Sequence, residues 1–167
     1  MKIAIIGAGN VGGGLATAAT KAGHDVVLSA GDAAAAQASA DAAGAAAAAS
    51  NVDAVQGADL VVLAVPNGAV AGIVTELGDA LNGKTVVDVT NPLTDDYSDL
   101  TTSGVSAAEL LQQQVPGASV VKAFNTIFAG RHSNPTEGGQ PLDAFIAADD
   151  DVAKTAVRSC AQIMWTI

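Results

Sequence analysis

Three glycines near the start of the chain have the spacing of a phosphate-binding turn. Gly7, Gly9 and Gly12 form Gly-x-Gly-x-x-Gly directly after the apolar segment 2–6 and before an alanine-rich segment. In such a turn the first glycine leaves the strand sharply, the second admits a pyrophosphate and the third lets the next helix approach the sheet. The helix N-terminus then offers backbone N–H groups to the phosphates. The motif predicts a dinucleotide held by Gly7, Ala8, Gly9, Asn10, Val11 and Gly12.

The histidines and the cysteine favour structural roles. His24 lies in a Gly-His-Asp turn, and His132 lies in a polar loop, where a solvated side chain is expected. Cys160 is the only cysteine, which excludes an internal disulfide and a thiolate metal site and indicates a small buried residue on a helix. We therefore predict no catalytic histidine or cysteine.

Two charged segments have more than one interpretation. Asp149, Asp150 and Asp151 are consecutive, as metal ligands can be, but acidic residues at a helix start are stabilised by the helix dipole, so we predict no metal site. Lys122 lies inside an apolar strand pattern, where a buried lysine needs a partner. Either Lys122 belongs to a binding site or its amine extends to the end of the sheet, and both interpretations stay open.

Strands and helices alternate along the chain and would position these residues. Apolar runs predict strands at 2–6, 25–29, 60–65, 85–89, 119–123 and 143–148. Helices are predicted at 11–22, 32–50 with a break near Gly44, 70–81, 106–114 and 151–165. The fourth helix opens on a capping box of Ser106 and Glu109. The alternation predicts an α/β fold with a doubly wound parallel sheet, the Rossmann NAD(P)-binding type, as a single domain over residues 1–167.

Composition limits the ligands and the location. The chain has 7 Lys and Arg against 17 Asp and Glu, a formal net charge of −10, so it lacks a basic patch for nucleic acid or an anionic membrane. No signal peptide or membrane-spanning run is visible, and we expect a cytoplasmic protein. The apolar end 163–167 carries no cap, so we expect a missing C-terminal tail, with Trp165 packing in the core or against that tail.

Four segments together resemble one protein family. They are Gly-Ala-Gly-Asn-Val-Gly at 7–12, Val-Leu-Ala-Val-Pro at 62–66, Asp-Val-Thr-Asn-Pro-Leu at 88–93 and Val-Lys-Ala-Phe-Asn-Thr at 121–126. In this order, over nearly the whole chain, they resemble the NADP oxidoreductases that depend on coenzyme F420, a 5-deazaflavin. The last two segments are the more specific, and they are also similar to the reductase domain of membrane ferric reductases, which binds NADPH beside a flavin.

The resemblance implies an enzyme that transfers hydride between NADP(H) and F420, working as a homodimer. Ligands of open α/β sheets lie beyond the carboxyl ends of the strands, where the four segments converge. Further NADP contacts are expected from Ser29, Ala30, Val65, Pro66, Asn67 and Asn91. F420 contacts are expected from Pro92, Leu93, Asn125, Thr126 and Ile127. Hydride transfer between two stacked rings needs no acid, base or nucleophile, so no catalytic side chain is assigned.

One position departs from the family pattern. The family carries Ser and Arg just after the second strand to hold the 2′-phosphate of NADP, whereas this chain has Ala30 and Gly31, followed by Asp32. The arginine fork is therefore missing, and Asp32 is expected to cap the alanine-rich helix. The resemblance implies NADP, NAD is the alternative, and a contact from Lys21 or Lys122 would have to replace the arginine.

Two other functions stay open from the sequence. A reductase of the same fold could act on a flavin, a ferric complex, a carbonyl or an imine, and a long extra helical domain would mark the carbonyl or imine kind. Alternatively, a nucleotide-sensing module could regulate a partner without turnover, in which case a fused effector domain is expected.

Overall fold

The computed structural model describes residues 1–94 and 96–165, with only the backbone described at Trp165. The expected packing of the Trp165 side chain therefore lies outside the described residues, as does the chain end at Thr166 and Ile167. The strands are β1 (Lys2–Ile6), β2 (Asp25–Ser29), β3 (Ala46–Ala47), β4 (Leu60–Leu63), β5 (Thr85–Asp88), β6 (Ser119–Ala123), β7 (Thr136–Glu137), β8 (Gln140–Pro141) and β9 (Ile146–Ala147). The α-helices are α1 (Asn10–Lys21), α2 (Ala33–Ala43), α3 (Asn51–Val55), α4 (Val70–Leu77), α5 (Ala107–Gln114) and α6 (Asp151–Trp165).

The central sheet is mostly parallel and reverses its order once. Within the described residues it has seven strands in the order β3-β2-β1-β4-β5-β6-β9, and β7 pairs with β8 in a separate hairpin. Strands β1 to β6 run parallel, with Ile3 opposite both Val26 and Leu60. The chain adds strands on one side of β1 and then, from β4 onward, on the other. The junction of β1 and β4 is the kind of switch point at which open α/β sheets bind ligands.

Apolar residues on alternate positions of the strands form two layers. Ile3 and Ile5 of β1 belong to a cluster that includes residues of α1, α2 and α6. Ala4 and Ile6 belong to a second cluster, with residues of α3, α4 and α5. Successive side chains of a strand point to opposite faces, so strands covered on both faces are apolar throughout. The predicted doubly wound α/β fold is confirmed. No helix of the described residues has the length and apolar character needed to cross a membrane.

The alanine-rich segment 32–50 contains a strand that the sequence interpretation missed. Helix α2 ends at Gly44, whose φ of +69° is the left-handed conformation that glycine adopts readily at a helix C-terminus. The chain then pairs with the edge of the sheet as β3, beside Val27 and Leu28, and α3 begins behind Ser50, whose hydroxyl accepts from the Asp53 N–H. The predicted break near Gly44 is confirmed, and the helix predicted after it is wrong.

The last strand has the opposite direction to its neighbour. The strand predicted at 143–148 is the shorter β9, which is antiparallel to β6, with Ala147 opposite Lys122 and Ile146 opposite Ala123. Parallel neighbours need a crossover, usually an α-helix. Residues 124–145, all of which are described, contain a 3₁₀ turn and the β7–β8 hairpin but no α-helix. The sheet is therefore parallel except at this edge, and part of the polar loop that contains His132 folds as a hairpin.

Candidate functional site

The glycine turn after β1 has the geometry of a phosphate cradle. Gly7 has φ +117°, and a Cβ there would lie 2.1 Å from the Ala64 carbonyl oxygen. A Cβ at Gly12 would lie 1.9 Å from the Gly7 carbonyl oxygen, so both positions require glycine for packing. A Cβ at Gly9 would meet nothing within 4 Å. Gly9 thus faces open space that a pyrophosphate could fill, which fits the group that the motif predicts.

The N-terminus of α1 is directed at this space without a side-chain cap. Gly9 is the N-cap residue, and within the described residues no side chain bonds to the first N–H groups of the helix. Such N–H groups and the positive end of the helix dipole attract phosphate. The cleft beside them has a volume of about 240 Å³ and is lined by Gly9, Asn10, Val11, Ala64, Val65, Pro66 and Val89. The cleft brings together the glycine turn and the predicted contacts Val65 and Pro66.

The end of β2 is built from neutral and acidic groups. The Ser29 side chain is fully buried, and its hydroxyl donates to Asn51 Oδ1 at 2.8 Å. Asn51 in turn donates its amide to Glu76 Oε2 at 2.9 Å. Asp32 caps α2 as expected, because its Oδ1 accepts from the N–H groups of Ala34 and Ala35. No sequence pattern separates Asn51 from other loop asparagines, so its link to Ser29 is a structural finding.

Two asparagines connect the loops that follow β5 and β6. Asn125 Nδ2 donates to Asn91 Oδ1 at 3.0 Å, and Asn91 Nδ2 donates to the Asn125 carbonyl oxygen at 3.1 Å. The preceding Phe124 has φ +64°, a left-handed conformation that costs about 1–3 kcal/mol in a residue with a side chain. This turn directs Asn125 towards Asn91. The structure therefore brings together two predicted residues that are 34 positions apart in the chain.

The other predicted contacts with the second ligand divide by exposure. Pro92 and Leu93 are half-buried, and Leu93 forms a bridge with Leu100. Thr126 is exposed, whereas Ile127 is only 6% exposed and belongs to the core. A cavity of about 720 Å³ adjoins Pro92 and extends between the loop before α5 and the β6–β9 edge. A ligand in the crevice would meet Asn125 and Thr126 at its surface and the backbone, rather than the side chain, of Ile127.

Lys122 is the centre of a hydrogen-bond network under this crevice. Its Nζ donates to Asp88 Oδ2 at 3.0 Å and to the Thr90 carbonyl oxygen. The other Asp88 oxygen accepts from the Thr90 N–H at 2.8 Å, and the Thr90 hydroxyl donates to Asn67 Oδ1 at 3.1 Å. Asp88 is 2% exposed. Lys122 is therefore the partner of a buried carboxylate and a positioning residue for the loops at Asn67 and Thr90. Lys122 also lines the cavity of about 720 Å³. Asp88 was missed as a site residue, although a lysine in an apolar strand pattern signals a buried partner.

His132, Cys160 and His24, for which the sequence predicts structural roles, lie in environments that suit such roles. His132 is not solvated as expected: it is 1% exposed and packs beside Gly14 of α1, so that prediction is wrong, and burial lowers its pKa. Cys160 is buried as predicted, with Sγ 3.6 Å from His24 Nε2. Burial raises the pKa of Cys160 to about 11, so the thiolate is disfavoured, and burial also lowers the pKa of His24.

The aspartates before α6 cap that helix. Asp150 Oδ1 accepts from the N–H groups of Val152 and Ala153 at 2.8 and 3.0 Å, and these bonds, with one from the Ser119 hydroxyl, lower the Asp150 pKa. The interpretation of the acidic run as a helix start is confirmed. Among the described residues, no group of three His, Cys, Asp or Glu side chains is arranged to hold a metal ion.

Two curated relatives and a family model are named for the same activity. Residues 2–92 match a protein family described as NADP oxidoreductase, coenzyme F420-dependent. The chain is 34% identical to the F420-dependent NADP reductase of Methanothermobacter thermautotrophicus, over 89% of this chain and 71% of that protein. The protein of that name from Methanothermobacter marburgensis is 31% identical over 89% of this chain and 73% of its own length.

Solved structures extend the likeness over 98% of the chain. A Sinorhizobium meliloti protein of 33% identity superposes with a TM-score of 0.86 and is covered over 81% of its chain. An imine reductase of Streptomyces aurantiacus superposes with a TM-score of 0.74 at 19% identity and 53% coverage, which shows a shared fold alone. With its glycine cradle, its matched motifs and these relatives, the chain belongs to the family of coenzyme F420-dependent NADP oxidoreductases.

Proposed function

We propose that this protein is an oxidoreductase that transfers hydride between NADP(H) and coenzyme F420. The observation that carries the proposal is the convergence, at one end of the sheet, of the glycine cradle and the Asn91–Asn125 pair. Membership of the family supports the identity of both cofactors. When both are bound, the nicotinamide and the deazaflavin supply the chemistry, because hydride passes directly between their rings.

The chain's own residues then have to bind, orient and exclude water. The first turn of α1 faces the place of the pyrophosphate, and Val65 and Pro66 line the cleft beside it. The paired asparagines fix the loops after β5 and β6 relative to each other, and the ion pair of Lys122 with Asp88 holds the β5 loop from below. Such positioning is the main contribution that a protein makes to transfer between two cofactors.

Exposed aromatic side chains near the crevice are suited to a flat ring. Phe128 follows β6 and is 86% exposed, and Phe145 precedes the paired β9 and is 67% exposed. Both lie near the carboxyl end of β6, where the proposal puts F420. Exposed apolar groups of this size commonly mark a binding surface.

Homodimer formation, a cytoplasmic location and a single domain stay predictions of the sequence.

The test is a spectrophotometric assay of the purified protein with F420 and either NADPH or NADH. We expect the visible absorption of F420 to be lost when a reduced dinucleotide is added. The Asn125→Ala variant should lower kcat/KM for F420 by about tenfold or more, because one hydrogen bond between the two loops is lost. Its dinucleotide affinity should stay within about twofold of the unmodified protein.

A matched control keeps the assay interpretable. Gln113 is exposed on α5, away from the crevice, and Gln113→Ala should leave both kinetic parameters unchanged. Absence of F420 reduction with either donor would reject the proposed activity. Equal losses in Asn125→Ala and Gln113→Ala would reject the role given to the asparagine pair.

A further inference from the structure

The part of the crevice after β2 lacks a cationic side chain. The chain has seven Lys and Arg residues, all of them in the described ranges, and each lies elsewhere. Lys2 and Lys84 lie at the amino ends of their strands and donate to the carbonyl oxygens of Gln56 and Ala58. Lys21 is the last residue of α1. The turn that follows brings the Asp25 N–H to the Met1 carbonyl oxygen, at the amino ends of β1 and β2. Lys21 therefore lies at the end of the sheet opposite the crevice.

The remaining cations are similarly engaged or distant. Lys122 pairs with Asp88 under the second ligand's place, four strands away from β2 in the sheet order. Arg131 belongs to a loop whose Gly130 and Ser133 line a cleft together with Gly9 and Ala35. Its guanidinium is directed away from that cleft's lining, at the β7–β8 hairpin, where it contacts Glu137 and the Thr136 carbonyl oxygen at 3.5 Å. Lys154 pairs with Asp151, and Arg158 lies on α6, which packs on α1 and β6. Neither Lys21 nor Lys122 is therefore placed to replace the missing arginine.

The polar groups at the end of β2 are already hydrogen-bonded to other protein groups or are negatively charged. The Ser29 hydroxyl is buried and bonded to Asn51, whose amide is bonded to Glu76. In the first turn of α2, the N–H groups of Ala34 and Ala35 are taken by the Asp32 carboxylate. Asp32 itself is exposed and contributes a negative charge two residues after Ala30. A 2′-phosphate would meet a carboxylate and no cation, whereas a ribose hydroxyl would meet no like charge.

We infer that the site gives the 2′-phosphate of NADP(H) no cationic partner and therefore discriminates weakly between NADPH and NADH. The inference rests on the proposed function, because it assumes that the adenosine ribose lies at the end of β2. A guanidinium fork on a phosphate normally tightens binding by about ten- to a hundredfold. Without it, the dissociation constants of the two dinucleotides should differ by less than about tenfold.

Gly31 allows the missing contact to be added. Its φ is not in the left-handed region, and a Cβ there would meet nothing within 4 Å. Gly31→Arg therefore adds a cationic side chain, whose Cβ has room, next to Ala30, where the ribose is proposed to lie. Gly31→Met is the matched control, because it adds a side chain of similar length without charge.

The experiment measures equilibrium binding of NADPH and NADH to the purified protein by nicotinamide fluorescence, without F420. We expect affinities within about tenfold of each other, and Gly31→Arg should tighten NADPH alone by about tenfold or more, with Gly31→Met unchanged in the ratio. NADPH binding more than about tenfold tighter than NADH in the unmodified protein overturns the inference. No gain in Gly31→Arg also overturns it, because the ribose would then lie elsewhere.

The outcomes separate this inference from the proposed function. Similar affinities for the two dinucleotides, without any F420 reduction in the assay above, would reject the activity and keep the inference. A strong preference for NADPH together with F420 reduction would reject the inference and keep the proposed activity. If neither dinucleotide binds, both fall together.

Discussion

At the scale of single residues, the glycine turn contains both glycines that the fold requires and a glycine that leaves room for a ligand. Gly7 and Gly12 are required by the protein itself, since a Cβ at either would overlap a carbonyl oxygen of the turn or of the neighbouring loop. Gly9 has no such neighbour. One sequence motif thus contains two packing glycines and one that keeps space open for a ligand.

This division predicts different outcomes for two variants. Gly9→Val should weaken dinucleotide binding by about a hundredfold or more, because its side chain fills the place of the pyrophosphate, while the melting temperature changes little. Gly12→Val, the matched variant, should lower the melting temperature strongly. Fluorescence titration and thermal unfolding measure the two effects. Unchanged affinity in Gly9→Val would remove the glycine turn from the binding site.

The buried ion pair predicts a second effect at this scale. Lys122→Met should destabilise the fold by about 2–4 kcal/mol, because it leaves the Asp88 carboxylate buried without its cation. The double variant Asp88→Asn with Lys122→Met should recover part of that loss, since an amide is easier to bury than a charge. Urea unfolding measures all three proteins, and a Lys122→Met midpoint equal to that of the unmodified protein would contradict the role of the pair.

The sequence interpretation named residues for the proposed binding end of the site and missed the residues that support it. The glycines and the Asn91 and Asn125 positions could be named because family motifs carry them. Asp88 lies in the 88–93 motif but was given no role, and Asn51 was not singled out; both act through other side chains that are distant in the chain. His132 was misassigned because a polar loop sequence does not reveal that the loop folds back onto α1.

At the scale of elements, a run of alanines predicts that a helix is present but does not predict where the helix begins and ends. Residues 33–43 are helical, as the propensity of alanine predicts, yet Ala46 and Ala47 form a strand. Strand pairing at a sheet edge uses backbone groups, so it depends on position in the fold rather than on side chains. The only local signals for α3 are Ser50 and Asp53, whose spacing suits an N-cap.

The contact between α1 and the loop after β6 predicts opposite effects for adjacent glycines. A Cβ at Gly14 would lie 2.9 Å from His132 Cβ, so Gly14→Ala should destabilise the fold by about 1–3 kcal/mol. A Cβ at Gly13 would meet only Ser39 Oγ, at 2.9 Å, and that hydroxyl can rotate away. Gly13→Ala should therefore be neutral or stabilise by up to about 1 kcal/mol through helix propensity. Thermal unfolding of the two variants decides, and equal effects would show that the loop does not pack on α1.

At the scale of the whole molecule, the order of the strands follows from general rules and the direction of β9 does not. Alternating strands and helices predict a parallel sheet with one reversal, and the structure has it. β9 is antiparallel because its connection to β6 folds as a 3₁₀ turn and a hairpin. The pattern of apolar residues in 124–145 does not predict this antiparallel connection.

The overall charge predicts how stability depends on salt. With a formal net charge of −10, the folded chain repels itself, and screening should relieve this repulsion. The melting temperature should rise by several degrees between about 0.02 and 0.5 M KCl, with most of the rise below about 0.2 M, where the Debye length shortens fastest in absolute terms. Differential scanning calorimetry measures the curve. A flat or falling curve would show that the acidic groups are already balanced by local contacts.

The distribution of basic residues also has a kinetic consequence. A dinucleotide is an anion, and it must approach a molecule whose long-range field is repulsive and whose cations lie away from the adenosine end of the crevice. The uncapped first turn of α1 attracts it, but that attraction acts over a few ångströms. Encounter should therefore become faster as ionic strength rises, the reverse of enzymes that steer charged substrates inward. The association rate, and with it the affinity, would then rise with the salt concentration in which the protein works.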